Sequence, residues 1–330
     1  MKISNIMGID VSKSTLDCHL YVQRQQLDAV ANSAQGFKQL GKWLKKQCKG
    51  QLEEVLVVME HTGIYTYGLE QYLYSQGIAY VKRPALDIKR SLGMIRGKSD
   101  KADARFIRKY GWMRKEELQP MKPMSANLLE LQQLMNYRDK LVGDKASYQA
   151  RIKELEGQMG QQLNSKISES STYIMQVLGQ EIKQLEEAIK ELLKQDPGLN
   201  KNYELATSVI GIGFATAVHF IIATENCTRF SDARKLICYC GVAPFKHESG
   251  SSIRGRTKVS HLANKKLKCL LTMAAICAVR WDQDLKRKYE QKVAEGKPKM
   301  SVINIIRAKL VERLFAVVKR QSKYEIRLAA

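Results

Sequence analysis

The chain has 330 residues, 44% of them hydrophobic, and 55 lysines and arginines against 33 aspartates and glutamates, for a formal charge of +22. That length supports at least two cores, and that charge exceeds what solubility requires, favouring a polyanionic partner with nucleic acid ahead of an anionic membrane. A run of about 18 apolar residues and a signal-peptide succession are both missing, which argues against a membrane span and predicts a cytoplasmic chain.

Residues 4 to 32 alternate β-rich runs at Ile6 to Asp10, Thr15 to Val22 and Leu27 to Asn32. The segment SAQGFKQLGKWLKKQ then has helical spacing at Phe37, Leu40 and Leu44. EEVLVVME (53 to 60) reads as a buried strand, TYGLEQYLYSQG (66 to 77) as a helix and IAYVKR (78 to 83) as a short strand. This order predicts a mixed sheet flanked by helices, followed by a basic loop that enters a helix near Asp100.

From Leu128 the texture changes to long polar helices. Leu134, Leu141, Tyr148 and Leu155 recur every seven residues, with Leu131, Ile152 and Met159 in the partner register, which predicts a coiled-coil seam. A second run holds Leu178, Ile182, Leu185, Ile189 and Leu192, and the polar stretch NSKISESS between the two permits either a hairpin or two extended arms. An exposed seam needs a partner, so dimerisation is expected ahead of a spacer within one chain. Asp196-Pro197-Gly198 ends the region. The resulting division is 1–124, an α/β catalytic domain; 125–197, the coiled-coil region; and 198–330, a mostly helical, basic domain. That last domain closes on an amphipathic helix with Ile303, Ile306, Leu310, Leu314 and Val317 inward. The seven scattered cysteines read as reduced core thiols, since Cys238 and Cys240 lack the spacing of a zinc knuckle.

Asp10 ends an apolar strand, where an ionised carboxylate is costly unless a cation answers it. Glu60 ends the second buried strand, and Asp100 and Asp103 stand three apart, on one face of a helix. Four carboxylates converging on one point call for a hard divalent cation, and Mg²⁺ is the expected one. Two such ions can activate the attacking oxygen and stabilise the leaving oxygen of a phosphodiester, so phosphoryl transfer on nucleic acid is the leading chemistry.

A second candidate centre lies further on. Gly211 and Gly213 separate two helical segments in the manner of a helix-hairpin-helix, whose glycine turn offers backbone amides to phosphate. Residues 245 to 268 carry Lys246, Arg254, Arg256, Lys258, Lys265, Lys266 and Lys268 against the single acid Glu248, a phosphate-binding surface by charge. Within this basic loop lies ESGSS, whose serines are unremarkable by composition alone.

In their order, GIDVSKSTLD, VVMEHTGIY and GKSDKADA resemble the three motifs of the RuvC-like domain of the DEDD-type insertion-sequence transposases of the "one-ten" family, also called serine/DEDD recombinases. VIGIGFATAVHFI, FSDARKLICYCGVAPFKHESG and VSHLANKKLKCLLTMAA resemble that family's C-terminal transposase domain. The resemblance implies an RNase H-like first domain and a metal-binding tetrad at Asp10, Glu60, Asp100 and Asp103. It also implies a nucleophilic serine at Ser249, with Ser251 and Ser252 close by, that links covalently to DNA. Donor and target DNA, a structured guide RNA encoded by the element, a coiled-coil link and a homo-oligomer, dimer or tetramer, are implied as well, in a bacterial or archaeal nucleoid-associated enzyme. The rival reading is a RuvC-like Holliday-junction resolvase or RNase H-type nuclease that uses the tetrad alone; a non-enzymatic coiled-coil nucleic-acid binder leaves the four carboxylates without purpose.

Overall fold

The computed structural model describes residues 3–20, 26–91, 100–160, 165–249 and 253–325. The chain divides into two compact units, Met1–Pro123 and Met124–Ala330.

The first unit is built on a five-stranded sheet of β1 (Asn5–Val11), β2 (Thr15–Leu20), β3 (Gln26–Ala31), β4 (Val55–Glu60) and β5 (Ala79–Arg83), in the order β3-β2-β1-β4-β5. β1 to β3 form an antiparallel meander, whereas β4 and β5 join β1 in parallel. The tight β1–β2 connection is held by Ser12, whose Oγ accepts from the Thr15 amide at 2.9 Å. This mixed sheet, meander first and parallel crossovers after, is the arrangement of an RNase H-like fold.

The period of two along each strand sorts the side chains. Met7, Ile9 and Val11 of β1 and Val55, Val57 and Met59 of β4 share one core with Phe37, Leu40 and Leu44 of α1 (Ala34–Gln47) and Leu69 and Leu73 of α2 (Tyr67–Ser75). Ile6, Leu56 and Val58 face the other way, against Ile88 of α3 (Ala85–Ser91) and Ile107 and Tyr110 of α4 (Asp100–Met113). The short helix α3 occupies part of the stretch expected as loop.

The second unit is helical around one large core. α5 (Ala126–Met159) and α6 (Ser165–Gln195) pack as an antiparallel hairpin: Asn127 bonds Asp196, Arg138 bonds Glu186 and Gly179 lies against Lys145, so the α6 number falls as the α5 number rises. Of the two arrangements the sequence permits, this is the hairpin. Only its base enters the core, through Leu128, Leu131, Met135, Ile189, Leu192 and Leu193. Asp196 accepts from the Gly198 and Leu199 amides and, with Pro197 behind it, starts α7 (Pro197–Thr207) as well as ending the hairpin.

α8 (Phe214–Ala223), α9 (Ala233–Tyr239), α10 (Lys265–Trp281), α11 (Gln283–Ala294) and α12 (Lys299–Arg320) complete the unit. Ile303, Ile306, Leu310, Leu314 and Val317 of α12 are all buried, as the amphipathic pattern predicts. The stretch read as a basic loop is instead a β-hairpin, β6 (Pro244–Ser249) paired with β7 (Ile253–Val259); its polar composition hides the strand signal. The expectation of core thiols holds for Cys18, Cys48 and Cys240, but Cys269 and Cys277 are exposed because they fall on the outer face of α10. Among the described residues, no helix is long and apolar enough to cross a membrane.

Candidate active site

β1 and β4 run in parallel with Ile9 beside Met59, which brings the next residues, Asp10 and Glu60, to adjacent strand ends. Both belong to the face that carries Ile6 and Val58, the face covered by α4. Gly8 explains how closely α4 sits: a Cβ there would collide with the Ala104 carbonyl and the Arg108 amide. One turn on, Gly111 lies over Val58 and Ile6, where a Cβ would come within 2.7 and 2.8 Å. The helix therefore descends from the Asp10 end of β1 at its N-terminus towards Ile6 at its C-terminus. Asp103, one residue before Ala104, is carried to the carboxylate end of the sheet. Asp100 opens the helix, and its side chain lies outside the described residues. Asp10, Glu60 and Asp103 are each half-buried.

The register also reveals residues that motif reading passed over. Asp17 of β2 is directly opposite Asp10, and His19 is opposite Gly8, so both share the α4 face; both are buried. The hairpin turn at Ser12 to Ser14 contains the signal, since a turn there pairs Asp10 with Asp17. Burial lowers the His19 pKa, and the Arg108 and Arg105 charges lower it further. Across the sheet, Arg83 of β5 is registered with Glu60. The site thus alternates carboxylates at strand ends with cations from α4 and β5.

The donors on offer are carboxylate oxygens, hard ligands suited to a divalent cation. Among the described residues, no three His, Cys, Asp or Glu side chains are grouped closely enough to hold a metal ion, and Asp100 is outside that set.

In the second unit, Ser249 is the last residue of β6, registered with Ile253, so the expected nucleophile sits where the hairpin turns. The side chains of Lys246, His247, Glu248, Ser249, Arg254 and Arg256 lie outside the described residues, as do Gly250, Ser251 and Ser252 altogether. Lys258 and Lys265 are exposed. Lys266 differs in that its Nζ is 2.7 Å from Asp139 Oδ2, which also lies 2.8 Å from His219 Nε2. Burial raises the Asp139 pKa, but the hydrogen bonds from His219 and Lys266 outweigh it and hold the carboxyl at about 2. This group joins α5, α8 and α10. Gly211, at φ +92°, is pressed against α10, where a Cβ would lie 2.6 Å from the Ala274 carbonyl. Gly213 is exposed at the N-cap of α8 with open space around it.

Two family models match the chain, the first running from the sheet of the first unit on into α5 of the second. A family model described as a transposase, of the DEDD type of the IS110 elements, matches residues 7–157, and one described as the transposase IS116/IS110/IS902 family matches residues 203–290. Over 331 aligned residues, 98% of each chain, the protein is 27% identical to the pilin gene-inverting protein of Moraxella bovis. It is 28% identical over 146 residues, 44% of this chain and 35% of the relative, to a 43.6 kDa protein of insertion element IS110 from Streptomyces coelicolor. Among solved structures, T. thermophilus RuvC in complex with Holliday junction substrate aligns with 36% of this chain and 99% of that one, at 14% identity and a TM-score of 0.26. With one model spanning the carboxylate-bearing sheet and α4 and the other the helical unit from α7 to α11, the chain belongs to the IS110-type family of insertion-sequence transposases, enzymes that act on DNA.

Proposed function

We propose that this transposase breaks and rejoins DNA strands through Ser249, with Mg²⁺ held by Asp10, Glu60, Asp100 and Asp103. The observation that most supports the metal half is the meeting of Asp10 and Glu60 at neighbouring parallel strand ends, beneath the acidic start of α4. When bound there, the cation supplies Lewis-acid stabilisation of charge on a phosphodiester oxygen. The position of Ser249 at the turn of a basic hairpin, next to Gly250, supports the other half.

The Ser249 Oγ attacks phosphorus as its proton passes to a base. A serine–phosphate bond forms, one bridging phosphorus–oxygen bond breaks, and the departing deoxyribose oxygen takes up a proton. Attack by the hydroxyl of a second strand reverses these changes, frees the serine and seals the new junction. Lys246, Arg254, Arg256, Lys258, Lys265 and Lys268 neutralise phosphates along the strand, while Gly211 shapes the turn that leaves the Gly213 end of α8 open to one. Donor and target DNA, an element-encoded guide RNA and a second copy of the chain are the partners in this reading. The RNA rests on the family resemblance, and the second copy on the apolar residues exposed along α5 and α6.

Ser249→Ala tests the assignment. It should keep DNA and RNA binding, because the cationic surface is untouched, yet lose strand exchange and any denaturation-resistant adduct with DNA. Mapping the trapped adduct by mass spectrometry decides the site: attachment at Ser251 or Ser252 removes Ser249 from the role, and no attachment leaves a nuclease that uses the carboxylates alone.

A further inference from the structure

Arg307 lies in the middle of α12 and is only 7% exposed. Its spacing from Ile303, Val311 and Leu314 puts it on the buried stripe, where a guanidinium ordinarily meets a carboxylate. Among the described residues it meets none: its one hydrogen bond runs from Nη1 to Asn304 Oδ1 at 3.3 Å, and its Nε has no partner. Burial lowers its pKa, as it does that of Lys268 on α10, and Arg307 adds to the depression at Lys268. Lys268 likewise forms no ion pair among the described residues. Two neighbouring cations under partial burial, with no acid between them among the described residues, are destabilising in the free chain.

The place of this pair in the fold suggests what answers it. Asn304 donates from Nδ2 to the Val242 carbonyl at 2.8 Å, two residues before β6 begins, while its Oδ1 holds the guanidinium. Gly241, at φ +65°, lies against Ala263, the Ser260 carbonyl and the Lys268 stem, so both ends of the β6–β7 hairpin meet at these side chains. We propose that Arg307 and Lys268 form a phosphate seat at the root of the β6–β7 hairpin, oriented by Asn304, and grip a backbone phosphate of the bound DNA. The planar fork of arginine suits a phosphate oxygen pair, and lysine adds a point charge beside it. The assignment rests on the reading that this hairpin engages DNA, and it adds a contact at the base where Ser249 stands at the turn.

Arg307→Met keeps the volume and removes the charge. In low-salt buffer free of phosphate it should melt at or above the wild type, because an uncompensated buried cation is gone. Inorganic phosphate should raise the melting temperature of the wild type and leave Arg307→Met unmoved, a readout that needs neither DNA nor strand chemistry. Binding of a duplex should lose about 0.9 from the slope of log affinity against log salt, whereas Ser249→Ala should keep the full slope and lose only the adduct. A variant that melts far below the wild type, with an unaltered phosphate response and salt slope, overturns the proposal and makes Arg307 a packing residue. Glu248→Gln guards the remaining alternative: if it lowers the wild-type melting temperature but not that of Arg307→Met, the hairpin's own carboxylate is the counter-ion and the seat is not for DNA.

Discussion

Asp10 of β1 and Asp17 of β2 face each other directly across the antiparallel register, on the same side of the sheet. Side chains so placed have their Cβ atoms only about 5 Å apart, close enough for like charges to repel. The hairpin that carries Asp10, a ligand in the proposed metal site, thus also places a second carboxylate beside it.

If that charge draws a cation into the site, Mg²⁺ should raise the melting temperature of the wild type. Asp10→Asn should abolish the rise and recombination with it, and Asp17→Asn should diminish the rise, weakening Mg²⁺ by about tenfold, the equivalent of about 1.4 kcal/mol. Scanning fluorimetry with Mg²⁺ and with chelator measures both. An Asp10→Asn variant that keeps the full response shows the cation to bind elsewhere.

Gly8 sets the height of α4 above β1, because a methyl group there strikes the Ala104 carbonyl and the Arg108 amide. Gly8→Ala should destabilise the first unit by about 3 kcal/mol, the upper range for overpacking a tight contact, and lift Asp103 away from the strand ends. Gly143→Ala, on an open face of α5, should instead stabilise by up to about 1 kcal/mol. Urea titrations of the two variants give the comparison, and equal stabilities would remove the close-approach argument.

Asp139 carries an acid-sensitive part of the stability. With its folded pKa near 2 and an ordinary value near 3.8, the unfolded chain binds more protons between those values. The contribution is complete above about pH 4 and is lost as pH falls towards 2, with a slope of up to about 1.4 kcal/mol per pH unit. Urea unfolding from pH 5 to pH 2 should therefore show a shallower decline in Asp139→Asn than in the wild type. Parallel curves would mean that His219 and Lys266 do not stabilise this carboxylate in solution.

Association should be sensitive to the apolar residues left exposed on the hairpin helices, Tyr148 of the heptad run among them, and not to those buried inside it. Leu141 is buried within the hairpin, whereas Tyr148 and Tyr173 are 38% and 67% exposed. Changing both tyrosines to glutamate should weaken self-association at least about tenfold, roughly 1.4 kcal/mol, while the melting temperature stays close to that of the wild type. Light scattering that reports the same mass for both chains would exclude this face as the contact between copies.

β1 and β4 were legible because an apolar strand interrupted only at its end by an acid has few other readings. α12 was legible for a similar reason, its stripe being long enough to fix the buried face. The β6–β7 hairpin was not, since its sequence is polar and shows no apolar alternation. Asp139 and Arg307 escaped because their meaning lies in neighbours distant in sequence, two other helices and the foot of a hairpin, whereas Asp17 is legible only once the register of the turn at Ser12 to Ser14 is fixed. The heptad run falls on α5, which packs against α6, and its distal positions are uneven, with Ile152 buried and Met159 47% exposed.

The α5–α6 hairpin has a mechanical consequence. Beyond Met135, the last α5 residue in the core, α5 continues for about 36 Å at 1.5 Å per residue. Near its foot, Arg138 is tied to Glu186, and Asp139 to His219 and Lys266. This makes the hairpin a lever with a polar pivot: a tilt of about 10° at the foot carries the tip through about 6 Å. The short side of the lever meets α10 through Lys266, two residues from Lys268, so that a displacement at the far end would reach that helix reduced in amplitude and raised in force.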